Sequence, residues 1–245
     1  FIFEKTFGFL SDATIFELSD TNQPLLRRLA EKAPGSFQHS LQVANLAEDG
    51  ARAVGANPLL IRAGALYHDI GKVAEAEYFT ENQSERFNPH DKLEPEKSAE
   101  IIIGHIKKGL DLAKKAGLPQ QITDFIRTHQ GTTKAFYFYR QYKDKYPDID
   151  IDLNDFTYPG PRPFTKEQAI LMMADAVEAS SRSLKEYSEE AIRSLVDSII
   201  DKQMEEGQFT LAPITFKDIS TVKDTFVSRL STIYHARIAY PSKED

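Results

Sequence analysis

Residues 64–72 read "GALYHDIGK", and this stretch decides how the chain is read. Asn57 and Pro58 supply an N-cap and a first-turn proline for the apolar run that leads into it, and Gly71 reads as its stop. The run therefore predicts a buried helix whose last turn carries His68 directly followed by Asp69. A helix end accommodates one polar group at little cost. Two ionisable side chains of metal-ligand type in adjacent positions call for a shared partner, because an unpaired buried carboxylate is very costly.

Outward from this helix the chain is almost entirely helical in pattern. "QPLLRRLAEKA" has helical periodicity and is expected to stop at Pro34 and Gly35. "SFQHSLQVANLAEDGARAVGA" repeats apolar residues at three- and four-residue intervals and carries His39. Residues 74–95 are polar and aperiodic and read as a loop. "EKSAEIIIGHIKKGLDLAKKAG" predicts a helix ended by Gly117, and "LPQQITDFIRTHQG" another ended by Gly131. "TKAFYFYRQYKDKY" reads as an aromatic-rich helix, and residues 147–163 as a proline-rich connection. Thr165 and Gln168 have capping-box spacing before the apolar "ILMMADAV". Two further amphipathic segments follow Tyr187, with "GQFTLAPITF" between them expected as a short hairpin or an extended loop. The expected fold class is all-α.

With 245 residues the chain is long enough for a substantial core. Its net charge of −7 argues against an extended nucleic-acid partner, which a basic face would recognise. The absence of cysteine excludes disulfides and thiolate zinc sites, so a metal would be held by His, Asp, Glu or carbonyl oxygen. No apolar stretch approaches the ~20 residues that span a bilayer. The chain begins without Met, which is read as a piece of a longer protein.

Placing the ionisable residues on these elements yields a set. His39, the pair His68 and Asp69, His105, His129 and Asp175 fall on five different helices. His105 follows "IIIG" and Asp175 sits within "LMMADAV", both strongly apolar surroundings. Alone, each His reads as a hydrogen-bonded core residue, and an Asp in an apolar helix as a cap or the partner of an Arg. Together, neutral imidazoles and buried carboxylates are the donor set of a bound cation.

The order His, His-Asp, His, His, Asp resembles the HD superfamily of metal-dependent phosphohydrolases. The finer motifs are "GSFQHSLQVANLAE", "ALYHDIGK", "ENQ…NPHDKL", "AEIIIGHIKKG", "THQGT", "YPGPRP" and "DAVEASSRSL". They are similar to the HD domain of the bacterial 7TMR-HD family, membrane proteins whose cytosolic HD domain hydrolyses cyclic di-AMP. The likeness covers roughly residues 25–185, and "IYHARIAYP" near the end is also family-like. The resemblance implies an HD-domain helical bundle over 25–187, preceded by a juxtamembrane lead over 1–24. A C-terminal helical extension over 188–245 would pack on the HD core. It places the domain on the cytoplasmic side of the bacterial inner membrane, anchored through a segment absent from this chain. A homodimer is carried as one assembly such a parent could adopt.

The same resemblance implies a two-metal site. His39, His68, Asp69 and Asp175 would hold one ion, and Asp69, His105 and His129 the other, with Asp69 bridging. All-nitrogen-and-oxygen ligation suits Mn or Fe, with Zn, Co and Ni also compatible. Two such cations ~3.5–4 Å apart orient a hydroxide in line with a phosphodiester and neutralise its growing charge. The implied activity is hydrolysis of cyclic di-AMP to linear di-adenylate (pApA). Alternatives are hydrolysis of another nucleotide, such as (p)ppGpp or a dNTP, and nucleotide binding without catalysis. The family commonly has a second His where this chain has Gln130. The glutamine then either ligates the second ion weakly or donates its amide to phosphate.

The remaining candidates each have two readings. Lys72 contacts phosphate or is a solvated helix-end lysine. Arg182, two turns after Asp175, holds phosphate or pairs with Glu178. His90 contacts substrate or orders its loop. Tyr78 and Phe79 are candidates for stacking a base, as is the "FYFY" stretch over 136–139, which otherwise packs its helix.

Overall fold

The computed structural model describes residues 9–83, 88–149 and 152–235, with His235 described by its backbone alone. Residues 1–8 of the expected lead and the part of the family-like tail beyond residue 235 lie outside the described residues. Ten α-helices are described: α1 (Asp12–Leu18), α2 (Pro24–Lys32), α3 (Pro34–Ala53), α4 (Pro58–Tyr67) and α5 (Pro95–Ala116). They are followed by α6 (Gln120–Thr128), α7 (Phe136–Lys145), α8 (Lys166–Ser181), α9 (Glu189–Glu205) and α10 (Phe216–His235). Among the described residues there is no strand, only an isolated bridge between Lys134 and Thr157.

The local signals explain most boundaries. The Asn57 side chain accepts from the amides of Leu59 and Leu60, and Pro58 opens α4. Gly117 ends α5 in the left-handed conformation at φ 67°. Thr165 and Gln168 form both halves of the capping box that starts α8. The helix ahead of Pro34 stops where expected, at Ala33, but Pro34 and Gly35 themselves open α3. Gly71 is not the stop of α4, which ends at Tyr67; it lies in a short 3-10 turn, Ile70–Ala74. Its hydrogen is needed for close packing, since a Cβ there would sit 1.9 Å from the His105 carbonyl oxygen. Of the two forms expected for "GQFTLAPITF", the hairpin is not formed: residues 206–212 make successive turns and 213–215 have no regular structure.

One apolar core joins α2, α3, α4, α6 and α8 with α9 and α10, through side chains such as Leu29, Leu66, Phe125, Ile170, Val196 and Phe226. α3 lies at its centre, packed on α2, α4, α8 and α10. α8 is buried continuously from Gln168 to Asp175, so Asp175 enters the interior among Met172, Met173 and Ala174. A smaller cluster holds α7 on α5 through Ala99, Ala135, Phe138 and Phe156. Within "FYFY", Phe138 is buried there while Phe136 and Tyr137 are exposed.

Candidate metal centre

Five helices deliver one side chain, or an adjacent pair, to a common point. His39 comes from the middle of α3, and His68 and Asp69 from the end of α4. His105 comes from the middle of α5, His129 from the end of α6 and Asp175 from α8. All six are at most 7% exposed. Small residues allow this convergence. A Cβ on Gly64 would lie 2.3 Å from the Phe125 ring, so α4 and α6 approach closely just ahead of His68 and His129.

Three of the histidines share one arrangement. Nδ1 of His68, His105 and His129 lies 2.6, 2.6 and 2.9 Å from the carbonyl oxygens of Ala65, Ile102 and Ile126, each three residues upstream. That contact places a proton on Nδ1 and turns Nε2 toward the centre as the atom that ligates when it carries no proton. The Nε2 atoms of His105 and His129 then face each other at 3.1 Å. Burial pushes the pKa of both rings down, that of His129 to about 3, so neither supplies a proton to share. Two lone pairs at this separation require an electrophile between or beside them.

The carboxylates complete the set. Asp69 Oδ2 lies 3.2 Å from His68 Nε2 and 3.8 Å from His39 Nε2. Its Oδ1 lies 3.4 Å from His105 Nε2 and 3.6 Å from His129 Nε2. Asp175 Oδ1 is 2.8 Å from His39 Nε2 and 3.6 Å from His68 Nε2. Buried His68 Nε2 and Asp69 Oδ1 have no hydrogen-bond partner. Two donor triads, His39 with His68 and Asp175, and His68 with Asp69 and His129, are compact enough to hold a cation. Orphaned donors, facing lone pairs and anionic oxygens at one point fit divalent metal and suit no apolar or anionic occupant. In the protein without metal, burial opposes charge on His68, yet Asp69 and Asp175 push its pKa up to about 10. Both carboxyls are held well below the usual range despite their burial, Asp69 chiefly by His68 and Lys72, Asp175 by His39 and His68.

A surrounding layer of contacts orients these groups. Glu178 Oε2 accepts from His39 Nδ1 at 2.5 Å, which turns the ring so that Nε2 faces the centre. Arg182 grips the other Glu178 oxygen through Nε and Nη2 at 3.0 and 2.7 Å. The pairing expected for Arg182 is therefore present, and Arg182 also lines the cavity beside the centre. Sequence reading did not single out Glu178 as a contributor to the centre; its signal was the i, i+3 spacing from Asp175 on a helix with a buried face. Gln130 Nε2 donates to Asp175 Oδ2 at 3.1 Å, a role neither of its two expected readings included. Lys72 is no solvated lysine: its Nζ lies 2.8 Å from Asp69 Oδ2 and 2.7 Å from Glu81 Oε1. Glu81, likewise unforeseen, also accepts from the Ser36 hydroxyl at 2.7 Å and so ties the 80–82 turn to the start of α3.

The centre opens into a cavity of about 730 Å³ lined by His39, Lys72, Glu81, Gln130 and Arg182 among others. Tyr78 and His90 do not line it. His90 Nε2 donates to the Tyr78 carbonyl at 2.9 Å, and the imidazole packs on Phe138, so this pair orders its own segment. Phe79 is buried against His105 and forms a wall of the centre, not a platform for a base.

The HD domain family matches residues 36–180 of this chain. The cyclic-di-AMP phosphodiesterase PgpH of Listeria monocytogenes is 45% identical over 244 residues, which are all of this chain and 34% of that protein. The cyclic-di-AMP phosphodiesterase PgpH of Bacillus subtilis is 44% identical over 239 residues, 98% of this chain and 33% of that protein. The chain thus spans about a third of the length of these curated relatives. The crystal structure of the L. monocytogenes phosphodiesterase PgpH HD domain in complex with cyclic-di-AMP is similar at TM-score 0.84 and 45% identity, covering 89% of this chain and 100% of that one. On this match of sequence, fold and buried His/Asp cluster, the chain belongs to the HD domain family.

Proposed function

We propose that this chain is a metal-dependent phosphodiesterase that hydrolyses cyclic di-AMP to pApA. The observation that carries the reading is the split of the Asp69 carboxylate. Its Oδ2 faces His39 and His68, and its Oδ1 faces His105 and His129. A carboxylate so placed can serve two cations, His39, His68 and Asp175 completing one ligand set and His105 and His129 the other. Divalent ions held there, Mn or Fe by the donor types, supply Lewis-acid polarisation of a phosphoryl oxygen and an activated water. The protein groups bind and orient. Lys72, held by Asp69 and Glu81, places a cation at the cavity edge of the centre, and Arg182 places another farther along α8. Both suit the anionic oxygens of a dinucleotide.

The adenine specificity rests on likeness to proteins named as cyclic-di-AMP phosphodiesterases and to a structure in complex with that ligand. We further propose that 25–187 is the catalytic unit, that 188–245 is its helical extension, and that the parent protein anchors it to the cytoplasmic face of a bacterial membrane. The short fraction of the relatives that the chain spans supports a longer parent. No described helix is long and apolar enough to cross a membrane.

Incubation of the chain with cyclic di-AMP and Mn²⁺, followed by chromatography of the products, tests the reaction. Accumulation of pApA that disappears with chelator or with Asp69→Ala is the expected result. Turnover confined to (p)ppGpp or a dNTP, or binding without turnover, would overturn the proposal.

A further inference from the structure

Three connecting segments meet beside His129, and each turns through a glycine of positive φ. Gly131 (51°) follows α6, Gly160 (76°) precedes α8, and Gly207 (69°) follows α9. At their junction Gln208, 2% exposed, directs its whole carboxamide to Thr132. The Thr132 amide donates to Gln208 Oε1 at 3.0 Å, and Gln208 Nε2 lies 3.3 Å from Thr132 Oγ1. Arg162 Nε donates to the same Oγ1 at 3.1 Å, while its Nη1 reaches Thr210 Oγ1 at 3.4 Å. Contact is too close for any side chain at Gly131, where a Cβ would lie 2.4 Å from Gln208 Oε1.

What this junction holds is the turn that carries the centre. His129 sits three residues before Thr132, and Gln130, two residues before it, spans to Asp175. The N-terminal side of the turn is fixed by α6 itself, through the His129 amide to Phe125. On the other side, the Tyr158 amide to the Thr133 carbonyl and the Ala135 amide to the Phe156 carbonyl tie the segment to 156–158, and the Gln208 and Arg162 contacts hold Thr132 itself. Gln208 lies outside the span matched by the HD domain family, 36–180, so the region beyond the family core supplies it.

We propose that Gln208 is a positioning residue for the metal centre, setting His129 and Gln130 in place through Thr132. This rests on the metal reading above. Loss of a group bonded directly to a ligand typically weakens metal binding about ten- to a hundredfold, and Gln208 acts one step further out, so the lower end is expected.

The test titrates Mn²⁺ into chelator-stripped protein without nucleotide, with free Mn²⁺ read by electron paramagnetic resonance. Gln208→Ala is expected to weaken at least one Mn²⁺ by about tenfold or more. Gln208→Glu keeps an acceptor for the Thr132 amide and is expected to recover most of that loss. A purely structural role would lower the melting temperature of the metal-free protein while leaving Mn²⁺ affinity alone. Unchanged affinity in folded Gln208→Ala, or no recovery with Gln208→Glu, overturns the proposal. Should Gln208→Ala fail to fold, Gln208→Met decides: it fills much the same space and removes both polar contacts to Thr132. Weaker Mn²⁺ binding then supports positioning, and unchanged binding refutes it. If the unmodified chain binds no metal, the metal reading itself fails. Positioning is then judged from the ¹⁵N resonances of the His129 ring, which Gln208→Ala must shift for the proposal to stand.

Discussion

At the scale of single residues, Asp69 and His68 do different work although they are neighbours. Asp69 turns one oxygen to each half of the centre, so on the proposed two-metal reading its loss would strip a ligand from both ions. Asp69→Ala is expected to lower bound metal from about two ions per chain toward zero, on the two-metal template. Elemental analysis of the folded variant checks this, and near-normal metal content would refute the bridging role. His68 presents a second consequence. With its pKa pushed up to about 10 without metal, its ring is protonated at neutral pH and must lose that proton to ligate. Metal loading at pH 7 is therefore expected to release about one proton from this residue. Titration calorimetry in buffers of different ionisation enthalpy measures it, and a buffer-independent heat would contradict it. Glu178 acts one step out. Its hold on His39 Nδ1 fixes the ring, so Glu178→Ala is expected to weaken metal binding about ten- to a hundredfold with the fold retained. Mn²⁺ titration alongside circular dichroism separates the two effects.

At the scale of elements, the centre exists because helices approach more closely than ordinary side chains permit. Gly71 lies against the backbone of α5, with a would-be Cβ 1.9 Å from the His105 carbonyl oxygen and 2.6 Å from the Gly109 nitrogen. Neither neighbour is a flexible side chain, so the 70–74 turn and α5 must separate to admit a methyl group. Gly71→Ala is expected to cost at least the ~1–3 kcal/mol of overpacking and to move His105 away from Asp69. Urea unfolding reports the first through the midpoint, and reduced metal retention reports the second. An unchanged midpoint would mean that the two backbones yield without strain. The glycine that sequence logic reads as a helix stop is thus a spacer between elements.

At the scale of the whole molecule, stability and metal content are linked through pH. Without metal, burial holds His129 neutral in the fold with a pKa of about 3, below its ordinary 6.5. The unfolded chain therefore takes up more protons between those values, and stability falls as pH drops from about 6.5 toward 3. His68 has the opposite sign: its raised pKa contributes stability below pH 6.5 that is lost as pH climbs toward 10. On the proposed metal reading, a bound cation would replace that proton. The difference in melting temperature between loaded and stripped protein is expected to widen as pH rises above about 6.5. Calorimetric scans over that range check it, and a gap that narrows with pH would refute the exchange of proton for metal.

The sequence by itself determined what is local. Asn57, Pro58, Gly117 and the Thr165–Gln168 box set helix ends through hydrogen bonds within a few residues. The ordered histidines and aspartates on successive helices also announced the family and the side chains that converge at the centre. Only the tertiary structure decided which neighbours those donors face. It turned Gln130 onto Asp175, sealed Lys72 between Asp69 and Glu81, placed Glu178 behind His39, and drew Tyr78 and His90 away from the cavity. Such pairings join residues that are often dozens of positions apart. They depend on how closely two helices approach, a distance set by packing across the core and carried by no periodicity along the chain.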